Sequence, residues 1–464
     1  MLIVLYTEKF NAEPSIMKLL SIMPRFIRQK IESRSVILKV LDNIGWLFFD
    51  SILRKLGGLV VGVWLVRYLG PEQFGQLSYA IAFIALFGGF STLGINGIVV
   101  RDVVRDPVGL NATLGSALVL MLLSSFLAFF LAVSSIALLK PDDALIKSIV
   151  VILGASLIFR SSDIIKYWFE SRVMSRYVAW LQSLIFLVIS LVKVVMIVNS
   201  APLIAFAWVF LADAVLAASG LIAIYVRKAG KILDWSVSLD RSIALLKEAL
   251  PLMLMSVLLG VYTKTDILMV EYFLGWEATG FYSASLTIAE SWFFIAVIFV
   301  QSLFPSLIKS ELLDENAFRK KLLYFYSFMF WFSSLVSFLL FILSKWMVVT
   351  FYGANYVECV LIFQIYIWSG IFVFVITSSS RWFILKHRNS SLFARAFLGA
   401  IMNVILNIWL IKLYGVVGAS LSTLITYFVV AYIYDIFDKS VREQLIYKID
   451  AVVLPLKILW KKRI

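Results

Sequence analysis

Long apolar runs, separated by short polar segments, follow one another along nearly the whole chain. The runs are about 20 residues long, which is the length of an α-helix that crosses the hydrocarbon core of a bilayer. They are continuous, whereas the strands of a membrane β-barrel alternate apolar and polar side chains. The pattern predicts an all-α polytopic membrane protein with twelve spans, near residues 44–66, 76–99, 112–138, 148–169, 177–198, 203–226, 249–271, 280–304, 322–344, 359–380, 391–411 and 415–437.

Composition supports this fold class and removes others. Hydrophobic residues make up 62% of the 464 residues and charged residues only 15%, which is far from the usual balance of soluble domains. No loop between the predicted spans is long enough to form a soluble catalytic domain. We therefore expect a membrane protein that is not an enzyme.

The Lys and Arg residues predict the orientation of the spans. With the N-terminus inside, 31 of the 42 lie in segments on the cytoplasmic side and 5 in segments on the outer side. This bias follows the positive-inside rule and predicts that both termini are cytoplasmic. The net charge of +14 then reflects topology and contacts with anionic lipid headgroups, and nucleic-acid binding is not expected.

A sequence repeat relates the two halves of the chain. The segment RYLGPEQFGQLSYA at 67–80 recurs in weaker form as YFLGWEATGFYSAS at 272–285, and five of the twelve positions in 67–78 are identical in the copy. The identities include Gly70 and Gly75, which recur as Gly275 and Gly280. Transporters are often built from such repeats, with their sites where the repeats meet. We predict two six-helix lobes, in which these glycines shape turns rather than contact substrate.

The predicted organisation has five parts. Segment 1–43 is a cytoplasmic amphipathic segment, 44–226 is the first lobe and 227–248 is a cytoplasmic linker. The second lobe spans 249–437, and 438–464 is a basic cytoplasmic tail.

Basic residues at membrane depth are the candidates for a substrate site. A charge there costs roughly three to more than ten kcal/mol, so it tends to face a cavity or a partner. Arg54 lies near the midplane of the first span, and Asp50, four residues earlier, shares its helical face. The two form an internal ion pair, or a cavity wall in which Asp50 orients Arg54, and these roles are compatible. Lys264 in the seventh span, Arg160 and Lys55 complete the candidate cavity cations.

Carboxylates inside the spans are the candidates for binding a coupling ion. Glu290, near the middle of the eighth span, is the first choice, with Asp266 and Asp50 as further candidates. A hydrogen-bonded structural role is the alternative for Glu290. Asp266 and Lys264 differ by two residues, so they point to different faces of a helix and need partners elsewhere.

Other charged residues fit structural roles. Arg160 and Asp163 are three residues apart, so a local ion pair is the alternative to a cavity role. Lys193 and Arg395 lie close enough to span ends to reach the interface by snorkelling. Asp213 lies within a span without an obvious local partner, and the sequence gives it no role.

The single cysteine and single histidine exclude several kinds of chemistry. Cys359 and His387 stand at opposite ends of one predicted span, so neither a Cys/His metal site nor a Cys–His dyad has enough members. We predict no metal site, no catalytic residues and no cofactor.

Three segments resemble a known transporter family. The pieces RYLGPEQFGQLSYA (67–80), LGINGIVVRDVVRD (93–106) and YGVVGASLSTLITY (414–427) resemble the Wzx-type polysaccharide flippases, which share a superfamily with the multidrug and toxin extruders. The first two pieces are fairly specific and the third is generic.

The resemblance implies a V-shaped pair of six-helix lobes in the bacterial cytoplasmic (inner) membrane. It implies transport of undecaprenyl-pyrophosphate-linked oligosaccharide, such as an O-antigen unit, from the inner to the outer leaflet, with the polymerase and chain-length regulator as partners. Arg54, Lys264, Arg160 and Lys55 would then bind pyrophosphate. The membrane potential supplies about 2.3 kcal/mol for each charge that moves through 100 mV. Coupling of transport to inward H⁺ or Na⁺ is compatible with this energy.

Two other functions remain open. A cation-coupled exporter of drugs or small solutes is the alternative within the same superfamily, and it would favour an acidic cavity. A membrane polymerase or ligase for the same glycans would be expected to carry a large external loop. The longest predicted outer loop, 345–358, argues against the polymerase.

Overall fold

The computed structural model describes residues 35–311 and 314–461, and the regular structure in these ranges is helical. The first half contains helices α1 to α7, which are Ser35–Thr92, Asn96–Arg105, Leu110–Leu139, Ala144–Phe159, Asp163–Ser171, Ser175–Val198 and Leu203–Lys228. Most of the predicted amphipathic segment 1–43 lies outside the described residues.

The second half continues with ten more helices in the described residues. They are α8 to α17, which are Leu239–Leu274, Trp276–Ala289, Phe294–Glu311, Glu315–Tyr352, Cys359–Tyr366, Ser369–Leu385, Asn389–Tyr414, Val416–Phe428, Tyr434–Phe437 and Arg442–Lys461. A π-helical turn at Val429–Ile433 joins α15 to α16. The basic tail predicted at 438–464 is therefore largely the helix α17.

Eleven helical segments in the described residues are long and apolar enough to cross a membrane. The first of them, Gly45–Arg105, has 61 residues, which at 1.5 Å per residue is about 90 Å, whereas a bilayer core is about 30 Å thick. Two crossings by this segment would give twelve spans, and the count of twelve stays a prediction. The chain is a multi-pass membrane protein.

The long first helix breaks at the repeated turn. Gly70 has φ 70° and ψ 175°, a backbone conformation that is essentially restricted to glycine. Pro71 follows, where its fixed φ suits the start of the next helical arm. Gly275, between α8 and α9, has φ 85° and ψ −174°, so both glycines impose the same turn.

The two copies of the turn pack against each other. A Cβ at Gly75 would lie 2.0 Å from the carbonyl oxygen of Trp276, and a Cβ at Gly280 would lie 1.9 Å from that of Pro71. Pro71 and Trp276 are themselves equivalent positions in the repeat, so the contact is reciprocal. Gly70 and Gly275 therefore shape the turns, whereas Gly75 and Gly280 allow close packing between the halves.

Further contacts join the halves on this side, which we call the repeat face (the loops at 70, 140–143, 199–202, 275 and 353–358). The Lys140 Nζ lies 2.6 Å from the Glu271 Oε1. The Tyr356 hydroxyl donates to the Val66 carbonyl oxygen at 2.7 Å. The largest hydrophobic core contains residues of both halves, so apolar burial reinforces these polar contacts.

The opposite side, which we call the linker face (the loops at 93–95, 106–109, 172–174, 229–238 and 386–388), fastens the start of α8 to the first half. Arg241 pairs with Asp102, and the Arg101 Nη2 lies 2.7 Å from the Glu248 Oε2. Leu245 and Ala249 are buried in a core whose other buried residues belong to the first half. The beginning of the second half is therefore held by the first.

Candidate functional site

A cavity of about 470 Å³, which we call the first-half cavity, lies among the helices α1, α5, α6 and α7 and the turn that joins α4 to α5. It contains more basic than acidic side chains. The basic lining residues are Arg54, Arg160, Lys166 and Lys193, and the acidic ones are Asp163 and Asp213. Such a lining can replace the hydration of an anion by charge-assisted hydrogen bonds.

A second cavity, of about 800 Å³, lies between the halves, and we call it the interhalf cavity. Arg54 and Lys55 stand on its first-half wall, and Glu290, Gln301 and Thr377 are polar groups on its second-half wall. Arg54 lines both cavities, so its guanidinium group can contact an anion that is bound in either of them.

Arg54 is held by a buried carboxylate. Its Nη2 lies 2.5 Å from the Asp50 Oδ2, and the Arg54 side chain is 41% exposed while that of Asp50 is 3% exposed. The Ser183 hydroxyl also donates to Asp50 at 2.8 Å. Asp50 thus orients Arg54 toward the cavities. This arrangement favours a positioning role for Asp50 over the binding of a coupling ion.

Arg160 lines the first-half cavity, but its expected local partner is taken. Asp163 pairs with Lys166, whose Nζ lies 2.7 Å from the Asp163 Oδ1. The α-helix is interrupted by a 3-10 turn at Arg160–Ser162, which changes the i,i+3 geometry on which the sequence argument rested. Arg160 forms no ion pair with another described residue and instead approaches Gly88, where a Cβ would lie 2.7 Å from its Nη1.

Lys193 is a cavity residue that the sequence argument missed. Lys193 lines the first-half cavity together with Asp213, and its Nζ lies 4.2 Å from the ring centre of Phe210. Lys193 therefore belongs to the lining of a cavity, a place that the expectation of snorkelling did not include. One feature of the sequence could have indicated this position of Lys193. Helices α6 and α7, which are joined by a turn of only four residues, carry the opposite charges of Lys193 and Asp213.

Lys264 is not brought to either cavity. It lies half-buried on α8 and is absent from the residues that line the first-half and interhalf cavities. Arg54, which lies on the corresponding first helix of the other half, lines both. A role of Lys264 in binding substrate stays a prediction.

The second half contains a network of carboxylates and tyrosines. Asp266 is 2% exposed and accepts hydrogen bonds from the Tyr282 hydroxyl at 2.5 Å and the Thr423 hydroxyl at 3.4 Å. The Tyr366 hydroxyl donates to Glu290 at 2.7 Å. Glu290 also marks the end of α9, where the helix gives way to a turn before α10. Interrupted helices at membrane depth commonly supply ion sites in transporters.

Arg395, which was expected to reach the interface by snorkelling, is buried within the second half. It is 3% exposed and donates to the Ser379 hydroxyl at 3.0 Å and the Ser380 hydroxyl at 2.6 Å. Close to it in the fold, the Lys448 of α17 pairs with Asp435 at 2.6 Å, and both side chains are almost fully buried. This cluster anchors α17 rather than lining a cavity.

Solved structures of several transporters share this fold. Lipid II flippase MurJ in an inward closed conformation is 17% identical, with a TM-score of 0.67 over 91% of this chain and 93% of that one. A multidrug resistance MATE family transporter of the MOP superfamily, in an inward-facing conformation, is 14% identical, with a TM-score of 0.63 over 84% and 95%. A MOP superfamily transporter from Pyrococcus furiosus is 13% identical, with a TM-score of 0.59 over 90% and 96%.

These likenesses define the fold. The helical architecture is similar to that of the MurJ and MATE membrane transporters, and the predicted all-α polytopic fold is confirmed, whereas the two six-helix lobes and the V shape stay predictions. The family model for polysaccharide biosynthesis proteins matches residues 40–310, and the chain belongs to this family. Comparison with curated protein sequences finds no match.

Proposed function

We propose that the protein is a flippase for undecaprenyl-pyrophosphate-linked oligosaccharides in the bacterial cytoplasmic membrane. It would move them from the inner to the outer leaflet for surface polysaccharide synthesis. The observation that carries this proposal is the excess of basic residues, Arg54, Arg160, Lys166 and Lys193, in the first-half cavity. Membership of the polysaccharide biosynthesis family supports the glycan part of the substrate.

The physical argument rests on the headgroup. A pyrophosphate cannot enter dry hydrocarbon at an acceptable cost, whereas several guanidinium and ammonium groups can take over its hydrogen bonds. The polyprenyl tail can stay in lipid while the head occupies the cavities. Transport then requires the repeat-face contacts to break and re-form, as alternating access demands.

The test is complementation of a strain that lacks the gene. The double variant Arg160→Ala, Lys193→Ala removes two cavity charges and is expected to lower surface polysaccharide at least tenfold, because a hydrogen bond to a charged group contributes about 1.5–3 kcal/mol. Lipid-linked oligosaccharide should accumulate in the inner leaflet. The matched control is Lys345→Ala, which removes an exposed charge that lines neither cavity.

Two outcomes would contradict the proposal. One is full polysaccharide output from the double variant at equal protein level. The other is unchanged polysaccharide in the deletion strain together with increased sensitivity to cationic drugs, which would favour the multidrug exporter. The basic first-half cavity argues against cationic substrates, because like charges repel.

We also propose that an inward H⁺ or Na⁺ drives the cycle through Glu290 and Asp266. Glu290 lines the interhalf cavity, so an ion can reach it, and Asp266 lies buried in the neighbouring tyrosine network. In proteoliposomes, transport should respond to an imposed proton or sodium gradient, and Glu290→Gln should abolish that response. Equal gradient dependence in Glu290→Gln and the unaltered protein would exclude this residue.

A further inference from the structure

A third cavity, of about 540 Å³, lies at the repeat face of the first half, and we call it the repeat-face cavity. It is lined by Tyr68, Glu72, Gln73 and Gln76 from the repeated turn and by the loop 200–202 between α6 and α7. Glu72 and Gln73 are exposed and Gln76 is half-buried. Four polar side chains of the turn thus line one concave surface.

The lining suits a ligand rich in hydroxyl groups. Glu72, Gln73 and Gln76 share one helical face through i,i+3 and i,i+4 spacing. The two amides form no hydrogen bond with another described residue, and each can donate and accept. None of the described lining residues is basic, in contrast to the first-half cavity, so the lining does not suit a phosphate group.

Comparison of the two copies of the repeat shows which of these residues the turn needs for its structure. Glu72 recurs as Glu277, where a carboxylate in the first helical turn complements the helix dipole. Gln73 and Gln76 correspond instead to Ala278 and Phe281. Because the second copy forms the same turn without amides, the turn geometry does not require them.

The repeat-face cavity and the first-half cavity follow one another along the same two helices, α1 and α7. Leu65 of α1 lines the first-half cavity, and Tyr68, about 4.5 Å further along the same helix, lines the repeat-face cavity. Helix α7 likewise contributes Asp213 to one and Ile204 to the other. The two cavities are therefore stacked between the same pair of helices, one cationic and one lined by amides.

We propose that the repeat-face cavity binds the sugar hydroxyl groups of the glycan on the side where it is delivered. This inference rests on the proposed function, since it takes the transported head to be a glycan. Gln73 and Gln76 would recognise hydroxyl groups, while the phosphates stay with the basic residues of the first-half cavity.

The test measures binding of a glycan that has neither lipid nor phosphate. The probe is the repeat-unit oligosaccharide released by mild acid from the strain's own polysaccharide, added to the full chain in lipid nanodiscs and followed by saturation-transfer NMR. The double variant Gln73→Ala, Gln76→Ala should bind about tenfold more weakly. The single variant Gln73→Ala, at an exposed position, serves if the double variant is poorly folded.

Two controls keep this test separate from the test of the flippase function. Asn199→Ala removes a neighbouring exposed amide that does not line the cavity and instead donates to the Val195 carbonyl oxygen. Lys345→Ala removes an exposed charge that lines none of the three cavities. Both should bind the oligosaccharide as the unaltered protein does. Absence of binding by the unaltered protein, or equal binding by the glutamine variants, would overturn the inference, while the flippase proposal would still be decided by polysaccharide export.

Discussion

Replacing Gly75 or Gly280 by alanine is expected to force apart the two copies of the repeated turn. The added Cβ would lie 2.0 Å from the Trp276 carbonyl oxygen or 1.9 Å from that of Pro71, whereas carbon and oxygen normally approach to about 3.3–3.6 Å. The obstructing atoms belong to backbones, which cannot rotate away. The helices must therefore separate by more than 1 Å, or the repeat face must open.

The size of the effect follows from the cost of overpacking. One inserted methyl group in a tight contact costs about 1–3 kcal/mol, and because the cost falls on the closed repeat face, the open fraction should rise roughly 5- to 150-fold. The double variant should be less than additive, because both glycines serve one interface.

The assay is labelling by a water-soluble maleimide. Ser283 is 5% exposed, one turn beyond Gly280, so Ser283→Cys in a Cys359→Ala background reports opening of the repeat face. Labelling should accelerate in Gly75→Ala by the same factor, roughly 5- to 150-fold. The control is Gly97→Ala, a helical glycine with no atom within 4 Å of its added Cβ. Equal labelling rates in Gly75→Ala and Gly97→Ala would refute the reasoning.

Three further predictions concern buried polar groups. Lys448→Met should lower the free energy of unfolding by about 3–5 kcal/mol, because it leaves Asp435 buried without its partner; adding Asp435→Asn should recover most of the loss, and denaturant unfolding of the two variants checks this. Burial lowers the pKa of Lys448 to about 8, although the nearby Asp435 carboxylate opposes the shift. When α17 is undocked, the pKa of Lys448 returns to about 10.5. Between pH 8 and about 10.5 the undocked state therefore binds more protons than the docked state. Docking should strengthen as pH rises through this window, and proteolysis of α17 that becomes faster instead would contradict the sign. Tyr282→Phe removes a hydroxyl that donates to Asp266 and should cost about 1–3 kcal/mol, whereas Tyr272→Phe, at a position 77% exposed, should change the melting temperature little.

The candidate site was partly visible in the sequence. Arg54 and Asp50 could be paired because i,i+4 spacing on one helix is local information. Arg160 also lines a cavity, yet its predicted partner Asp163 pairs with Lys166. The 3-10 turn at Arg160–Ser162 changes the i,i+3 geometry between Arg160 and Asp163, and the local composition does not predict this turn.

Lys193 and Lys264 show where sequence reasoning ends. Each is the one basic residue of its predicted span, 177–198 or 249–271, and the cavity role was predicted for Lys264. The packing gives Lys193 a place in the first-half cavity and leaves Lys264 out of both substrate-sized cavities. Which face of a span meets a cavity depends on the rotation of the helix against its neighbours, and an apolar run on all sides carries no signal for that rotation.

By itself the sequence determined that this is a helical multi-pass membrane protein, because span length is a local property of the chain, and the segment of the repeated turn carried the resemblance to the polysaccharide flippases. It also marked Gly70 and Gly75 as structural. Only the tertiary structure decided that Gly75 and Gly280 each pack against the backbone of the other copy of the turn and that Gln73 and Gln76 line a cavity. Contacts between segments 205 positions apart depend on how the helices pack, which no pattern within one segment encodes.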